Sequence, residues 1–232
     1  MSGINPGLYM RGFWRRMRLY AVCLMGLALL SHPVVAQSQT AGGVANIYNL
    51  DRDAHVGSVE IHGPIDRAVT SQAIELIRSI RPDVDELTVL LNSAGGDVLA
   101  AMELGEEIKK QWALTAVDDD GQCVGACVLV LAAGVRRTPA PEKVGLQRLN
   151  FEQGESISRD RAKQKDAGLA KRVQVYLARM GLPKRLFQEM QSSERVLLLD
   201  ARRLKTLGLD GTDPAYEQWL RANNYQQPPK SD

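Results

Sequence analysis

Two glycine-containing segments carry the residue types suited to chemistry in this chain of 232 residues. The first is Ser93-Ala94-Gly95-Gly96-Asp97, whose paired glycines leave backbone N–H groups open to a ligand because no side chain blocks the approach. The second is Gly121-Gln122-Cys123-Val124-Gly125-Ala126-Cys127, a turn of mostly small residues that leads into an apolar segment. A nucleophile at the start of a helix there is favoured by the helix dipole, which stabilises developing negative charge. Together the two segments predict a site for an acyl group.

Alternating strands and helices must position these segments. Residues 87–91 form a short, nearly all-apolar run, which is typical of a strand covered on both faces. Residues 97–111 have a helical pattern with Asp97 as the N-cap, and Cys127–Ala133 contains no polar residue, which predicts a fully buried helix. Because such elements alternate along the chain, the sequence predicts an α/β fold.

The order and spacing of these motifs resemble the proteolytic subunit of Clp protease and its extracytoplasmic relatives in the ClpP/crotonase superfamily. The likeness extends to Leu199-Asp200-Ala201 and Leu207-Gly208-Leu209-Asp210. It implies a single domain built as a repeated β-β-α spiral with a helical insert. In that family the glycine pair forms the oxyanion hole and the small-residue turn carries a serine. The segment 160–191 resembles the family's handle, which implies a homo-oligomer, although its apolar stripe can equally dock on its own domain.

The positions that the resemblance assigns to the nucleophile and the base hold other residues. In the extracytoplasmic relatives the sequence of this turn resembles Cys-x-Ser-x-Cys. This chain has Cys123 and Cys127 at the two ends of the pattern but Gly125 at the position of the serine. Where the family has Gly-x-His, this chain has Gly145-Leu146-Gln147. A glutamine can hydrogen-bond but does not accept a proton near neutral pH. Gly125 and Gln147 therefore predict that no conventional catalytic residue is present.

Neither the family's acidic position, which orients the base, nor the remaining histidines supply a base near Gly125. Ser192 falls near the family's acidic position, and Glu189 and Glu194 are the neighbouring carboxylates. His55 and His62 are the histidines beyond the first 36 residues, and His62 is predicted to be a residue at the end of a strand.

These replacements favour a non-catalytic binding protein. The residues predicted to bind a peptide, a carboxylate or a protein partner are Gly95, Gly96, Gly125, Ala126 and Gln147. The alternative is an active peptidase or esterase with an unconventional nucleophile, either a cysteine thiol or Ser93 paired with Lys143. A crotonase-like acyl-CoA reaction and a purely structural role in the cell envelope are further alternatives.

Two cysteines, Cys123 and Cys127, flank the turn at Gly125. In an oxidising compartment they are predicted to form a disulfide, and the alternative is a pair of small buried hydrophobic residues. Two cysteines without a histidine at suitable spacing make a poor metal site, so no metal and no cofactor is predicted. Asp118-Asp119-Asp120-Gly121 is predicted to be a solvated turn because its oxygens lack the spacing of a calcium loop.

The first 36 residues have the pattern of a secretory signal peptide. Four arginines precede an uncharged apolar run at residues 19–30, and Val34-Val35-Ala36 predicts cleavage after Ala36. The rival is a retained membrane anchor, but the run is shorter than the roughly 20 residues that a spanning helix needs. Export to the periplasm or the medium, without a stable membrane span, is therefore expected.

Removal of that segment changes the charge of the chain. The formal net charge of +2 becomes −2, because 25 basic residues then face 27 acidic ones. Nucleic-acid binding needs a clustered basic face, so it is not expected. The remainder is predicted to comprise a flexible leader at 37–54, the ClpP-like domain at 55–215 and a tail at 216–232.

Overall fold

A computed structural model describes residues 42–149 and 159–223, with backbone alone from 159 to 165. The predicted signal peptide and the last nine residues of the predicted tail lie outside the described residues. The described residues belong to one compact unit of mixed α/β structure.

The larger of two mixed sheets has six strands and runs through the centre of the domain. Its spatial order is β1 (Val44–Asp51), β2 (Val56–His62), β3 (Glu86–Asn92), β4 (Leu114–Val117), β6 (Arg136–Pro139) and β9 (Gly211–Thr212). The strands β2, β3, β4 and β6 are parallel, whereas β1 and β9 pair antiparallel at the two edges. In β2 and β3 every second residue is buried, because successive side chains point to opposite faces of a strand.

Seven α-helices are present in the described part of the chain. They are α1 (Arg67–Ile80), α2 (Val98–Lys110), α3 (Cys127–Ala133), α4 (Arg159–Arg179), α5 (Lys184–Ser192), α6 (Ala201–Thr206) and α7 (Pro214–Ala222). The predicted N-cap of α2 is confirmed, since Asp97 Oδ1 accepts a hydrogen bond from Ala100 N at 2.8 Å. The first two helices connect successive parallel strands.

The smaller sheet has three strands and holds the second glycine segment. Its order is β5 (Cys123–Val124), β7 (Val144–Leu146) and β8 (Leu197–Leu198), with β5 parallel and β8 antiparallel to β7. A parallel bridge between Ser93 and Cys123 joins β5 to the residue that follows β3. This bridge brings the two segments singled out in the sequence side by side.

Helix α3 lies in the middle of the hydrophobic core. All seven of its residues have no exposed surface, which confirms the prediction of a fully buried helix. The α4 helix packs onto it through Tyr176, whose hydroxyl donates to Leu129 O at 2.7 Å. Burial raises the pKa of this phenol well above its ordinary value, so Tyr176 acts as a neutral hydrogen-bond donor.

The domain extends further at both ends than the sequence predicted. The prediction of a flexible leader is wrong for Val44–Asp51, which pairs with β2 as strand β1. In that strand only Ala45 is fully buried. The strand sequence therefore lacks the alternation of apolar and polar residues that is typical of a half-buried strand. The predicted tail likewise contains most of α7, in which Tyr216 and Leu220 are buried.

No helix among residues 42–149 and 159–223 is both long and apolar enough to cross a membrane.

The first two helices are tied together by an ion pair that we expect to depend on pH. Glu107 is 6% exposed and accepts two hydrogen bonds from Arg78, at 2.9 and 2.6 Å. The Arg78 hydrogen bond is the main cause that lowers the pKa of Glu107 from 4.5 to about 2. A carboxyl group whose pKa is lowered by folding stabilises the protein above about pH 4.5, and that contribution disappears as the pH falls toward 2.

We therefore expect Glu107→Gln to lower the free energy of unfolding at pH 7 by about 1 kcal/mol, since solvent screens the exposed side of the pair. The difference from the wild type should shrink between pH 4.5 and pH 2 in denaturant titrations. The matched control is Glu106→Gln, because Glu106 pairs with Arg179 at the surface. An effect of Glu107→Gln that is equal at pH 7 and pH 2 would contradict this assignment.

Candidate functional site

The loop Ser93-Ala94-Gly95-Gly96-Asp97 connects β3 to α2 and is held on one side by Ile65. Ile65 N donates to Gly95 O and Asp97 N donates to Ile65 O, both at 2.8 Å. The Ser93 hydroxyl, which is buried, donates to Gly95 O at 3.2 Å and accepts from Gly95 N at 3.1 Å. The loop is therefore fixed by hydrogen bonds before any ligand arrives.

Both glycines are required by backbone shape and by close contacts. Their φ angles are +108° at Gly95 and +147° at Gly96, a region that L side chains rarely adopt. A Cβ on Gly96 would lie 2.2 Å from Ile65 O. A Cβ on Gly95 would lie 2.9 Å from Val124 O and 3.3 Å from Ala126 N, so the loop touches the second segment directly.

The turn at Gly125 between β5 and α3 is equally constrained. Cys123 N donates to Lys143 O at 2.8 Å, and Gly125 N donates to Gly145 O at 3.1 Å. Gly125 has φ +58°, which makes a sharp left-handed turn from strand to helix. The predicted disulfide is confirmed: Cys123 and Cys127 are bonded, with their Cα atoms 5.2 Å apart.

Two backbone donors, one in the loop and one in the turn, lack an acceptor within the protein. In the residues that the structure describes, Gly96 N and Ala126 N have no hydrogen-bond acceptor, whereas Gly95 N is engaged by Ser93 Oγ. Ala126 is only 3% exposed. Buried N–H groups are nearly always paired, so this unpaired donor indicates a ligand or an ordered water.

Gln147, which the resemblance assigned to the position of the base, lies opposite the turn. It follows β7, and its Oε1 is 3.9 Å from the point where a side chain on Gly125 would place its Cβ. No other heavy atom from outside the turn comes within 4 Å of that point. The structure thus brings together Gly95, Gly125, Ala126 and Gln147, with room for a side chain that Gly125 lacks.

The candidate acidic residues are engaged elsewhere. Burial alone would raise the pKa of Glu189, but hydrogen bonds from Arg203 and Arg185 outweigh it and lower that pKa. Glu194 is exposed and pairs with Arg148 at 3.6 Å. The Ser192 hydroxyl donates to Glu189 O at 3.1 Å. Nothing in these contacts orients a base toward Gly125.

Two routes to an unconventional nucleophile are also blocked. Both thiols are consumed by the disulfide and have no exposed surface. Ser93 is 1% exposed, and its hydroxyl is committed to Gly95 within its own loop. That hydroxyl therefore fixes the conformation of the glycine loop.

A groove of about 550 Å³ continues from the glycine loop along the end of the large sheet. It is lined by His62, Gly63, Pro64, Asn92, Ala94, Gly95, Gly96, Asp120 and Gln122. This lining contains no hydroxyl and no thiol. The sequence placed His62 at the end of a strand, as observed, but gave no indication that it shares a groove with Gly95 and Gly96.

In the described ranges, no group of three histidine, cysteine or acidic side chains is arranged to hold a metal ion.

We expect Gly95→Ala to lower the free energy of unfolding by about 1–3 kcal/mol, because the new methyl group meets backbone atoms and φ stays positive. Gly168→Ala in α4 is the control, since nothing lies within 4 Å of its Cβ position and helices favour alanine. Thermal unfolding of the two variants measures the difference. Equal stability of both would show that the loop and the turn are not in contact.

Comparison with known proteins finds no protein-family model that matches this chain and no curated protein similar to it in sequence.

Proposed function

We propose that this chain is an exported, ClpP/crotonase-like protein that binds an extended peptide or a carboxylate without cleaving it. The observation that carries the proposal is the unpaired N–H of buried Ala126, which lies beside Gly95 and next to the empty side-chain position at Gly125. The cradle is defined as Gly96 N and Ala126 N together. Two unpaired backbone donors on adjoining segments suit a carbonyl or carboxylate oxygen.

The topology is compatible with this family. Strands β2, β3, β4 and β6 are parallel, and α1, α2 and α3 lie between them in sequence. The second sheet carries the strand-to-helix turn, while α4 and α5 form a helical insert before the last strands. These features support a β-β-α spiral, and the insert is the segment through which we propose self-association.

The cradle is suited to an extended chain. Gly95 O and Asp97 N face Ile65, so the alternation of an extended backbone directs Gly96 N to the opposite side. An extended ligand on the side of Gly96 N would pair with the loop backbone, as Ile65 pairs with it on the opposite side. Main-chain pairing of this kind supplies affinity without requiring one particular ligand sequence.

The chemistry stops at binding because the turn holds no nucleophilic side chain and the residue opposite it is a glutamine rather than a base. A sharp strand-to-helix turn followed by a backbone donor is how hydrolases present a serine, and here that position is Gly125. Gln147 can donate or accept a hydrogen bond at a bound ligand, but it does not remove a proton. A bound carbonyl would therefore be polarised and held, with no side chain to attack it.

A second candidate is a hydrolase in which His62 activates water, and one observation favours it. His62 lines the same groove as Gly95 and Gly96. In the described contacts, however, no carboxylate is hydrogen-bonded to its ring to orient it as a base.

Labelling with a fluorophosphonate probe tests the leading proposal. The wild type and Gly125→Ser should not react, because neither has both a hydroxyl at residue 125 and a base at residue 147. Gly125→Ser/Gln147→His should gain labelling, since Gln147 already lies against the position of a side chain at residue 125. Mass spectrometry should then locate the adduct on the new serine.

Labelling of the wild type at any residue in the groove would overturn the proposal. Failure of the correctly folded double variant to react would show that the site does not keep a hydrolase geometry. Hydrolysis of p-nitrophenyl acetate distinguishes the second candidate: activity lost in His62→Ala but kept in His55→Ala would establish a water-activating enzyme. His55 is a suitable control because it is exposed in the turn between β1 and β2.

A further inference from the structure

The groove beside the cradle lies at the carboxyl ends of parallel strands, where α/β proteins place ligands. His62 ends β2 and Asn92 ends β3, and the two are paired in register. Asp120 and Gln122 come from the connection that follows β4. Four polar side chains from three successive segments thus surround one space of about 550 Å³.

The hydrogen-bonding capacity of these four side chains is unused within the protein. In the described part of the chain, none of His62, Asn92, Asp120 and Gln122 has a side-chain hydrogen bond or ion pair. Other polar side chains in the same region behave differently, since Ser93 and Asp97 are both engaged with the backbone. The groove therefore presents acceptors and donors toward solvent without internal partners.

The formal charge of the groove lining is negative. No lysine or arginine lines it, and Asp120 supplies a carboxylate. Asp118 and Asp119 precede it in the same turn, and among the described contacts they too have no cationic partner. A positively charged group entering the groove would meet a carboxylate together with the amide oxygens of Asn92 and Gln122.

We propose that this groove is a subsite for an ammonium or guanidinium group, so that the ligand is a peptide with a lysine or arginine next to the residue held by the cradle. The peptide part of this inference rests on the proposed function, whereas the preference for a cation rests on the groove alone. Gly96 lines the groove and its N–H is also part of the cradle. One extended ligand would therefore reach both the groove and the cradle.

The test uses the purified, isotope-labelled protein and two capped amino acids, N-acetyl-lysine methylamide and N-acetyl-norleucine methylamide. The two probes have the same backbone and nearly the same stem, but only the first carries a positive charge. In NMR titrations the lysine probe should shift the amide signals of Asp120 and Gln122 and bind more tightly than the norleucine probe. Both probes should shift Gly96 and Ala126.

Asp120→Asn should weaken binding of the lysine probe about three- to fivefold, as expected for an exposed ion pair, and leave the norleucine probe unchanged. Asp119→Asn is the matched control, because it removes the same charge one residue away without lining the groove. Equal binding of the two probes, or equal effects of the two variants, would overturn the subsite. Shifts confined to the groove, with Gly96 and Ala126 unmoved, would support the subsite and contradict the proposed function instead.

Discussion

The contact between Gly95 and the turn at Gly125 is the constraint on which the site depends. Backbone atoms of the two segments approach so closely that even a methyl group on Gly95 would lie 2.9 Å from Val124 O. This approach places Ala126 N beside the loop and leaves it without an internal acceptor. A hydrogen-bond donor fixed in this manner would need no rearrangement to bind an oxygen atom.

The surrounding structure keeps the two segments in register. The bridge between Ser93 and Cys123 joins the sheets, β7 accepts the hydrogen bond from Gly125 N, and the disulfide closes the turn around Gly125. Beneath them α3 is entirely buried and is held by Tyr176 from α4. The turn at Gly125 is therefore built directly on a helix with no exposed surface.

Local patterns in the sequence were sufficient for the elements around the site. The uninterrupted apolar run of α3 predicted its burial, Asp97 predicted the start of α2, and the spacing of Cys123 and Cys127 predicted their disulfide. Features that depend on partners distant in sequence were missed. Strand β1 is defined by pairing with β2 rather than by its own composition. The groove at His62 and Asp120 was missed for the same reason, because register and topology bring the two together.

The proposed function requires Gly96 N and Ala126 N to hold an oxygen atom of an intact ligand. A crystal structure of the protein with a capped Ala-Lys-Ala tripeptide amide tests it most directly. We expect an uncleaved peptide with one carbonyl oxygen about 3 Å from both nitrogen atoms. A cleaved peptide, or a peptide seated away from Gly96, would contradict it.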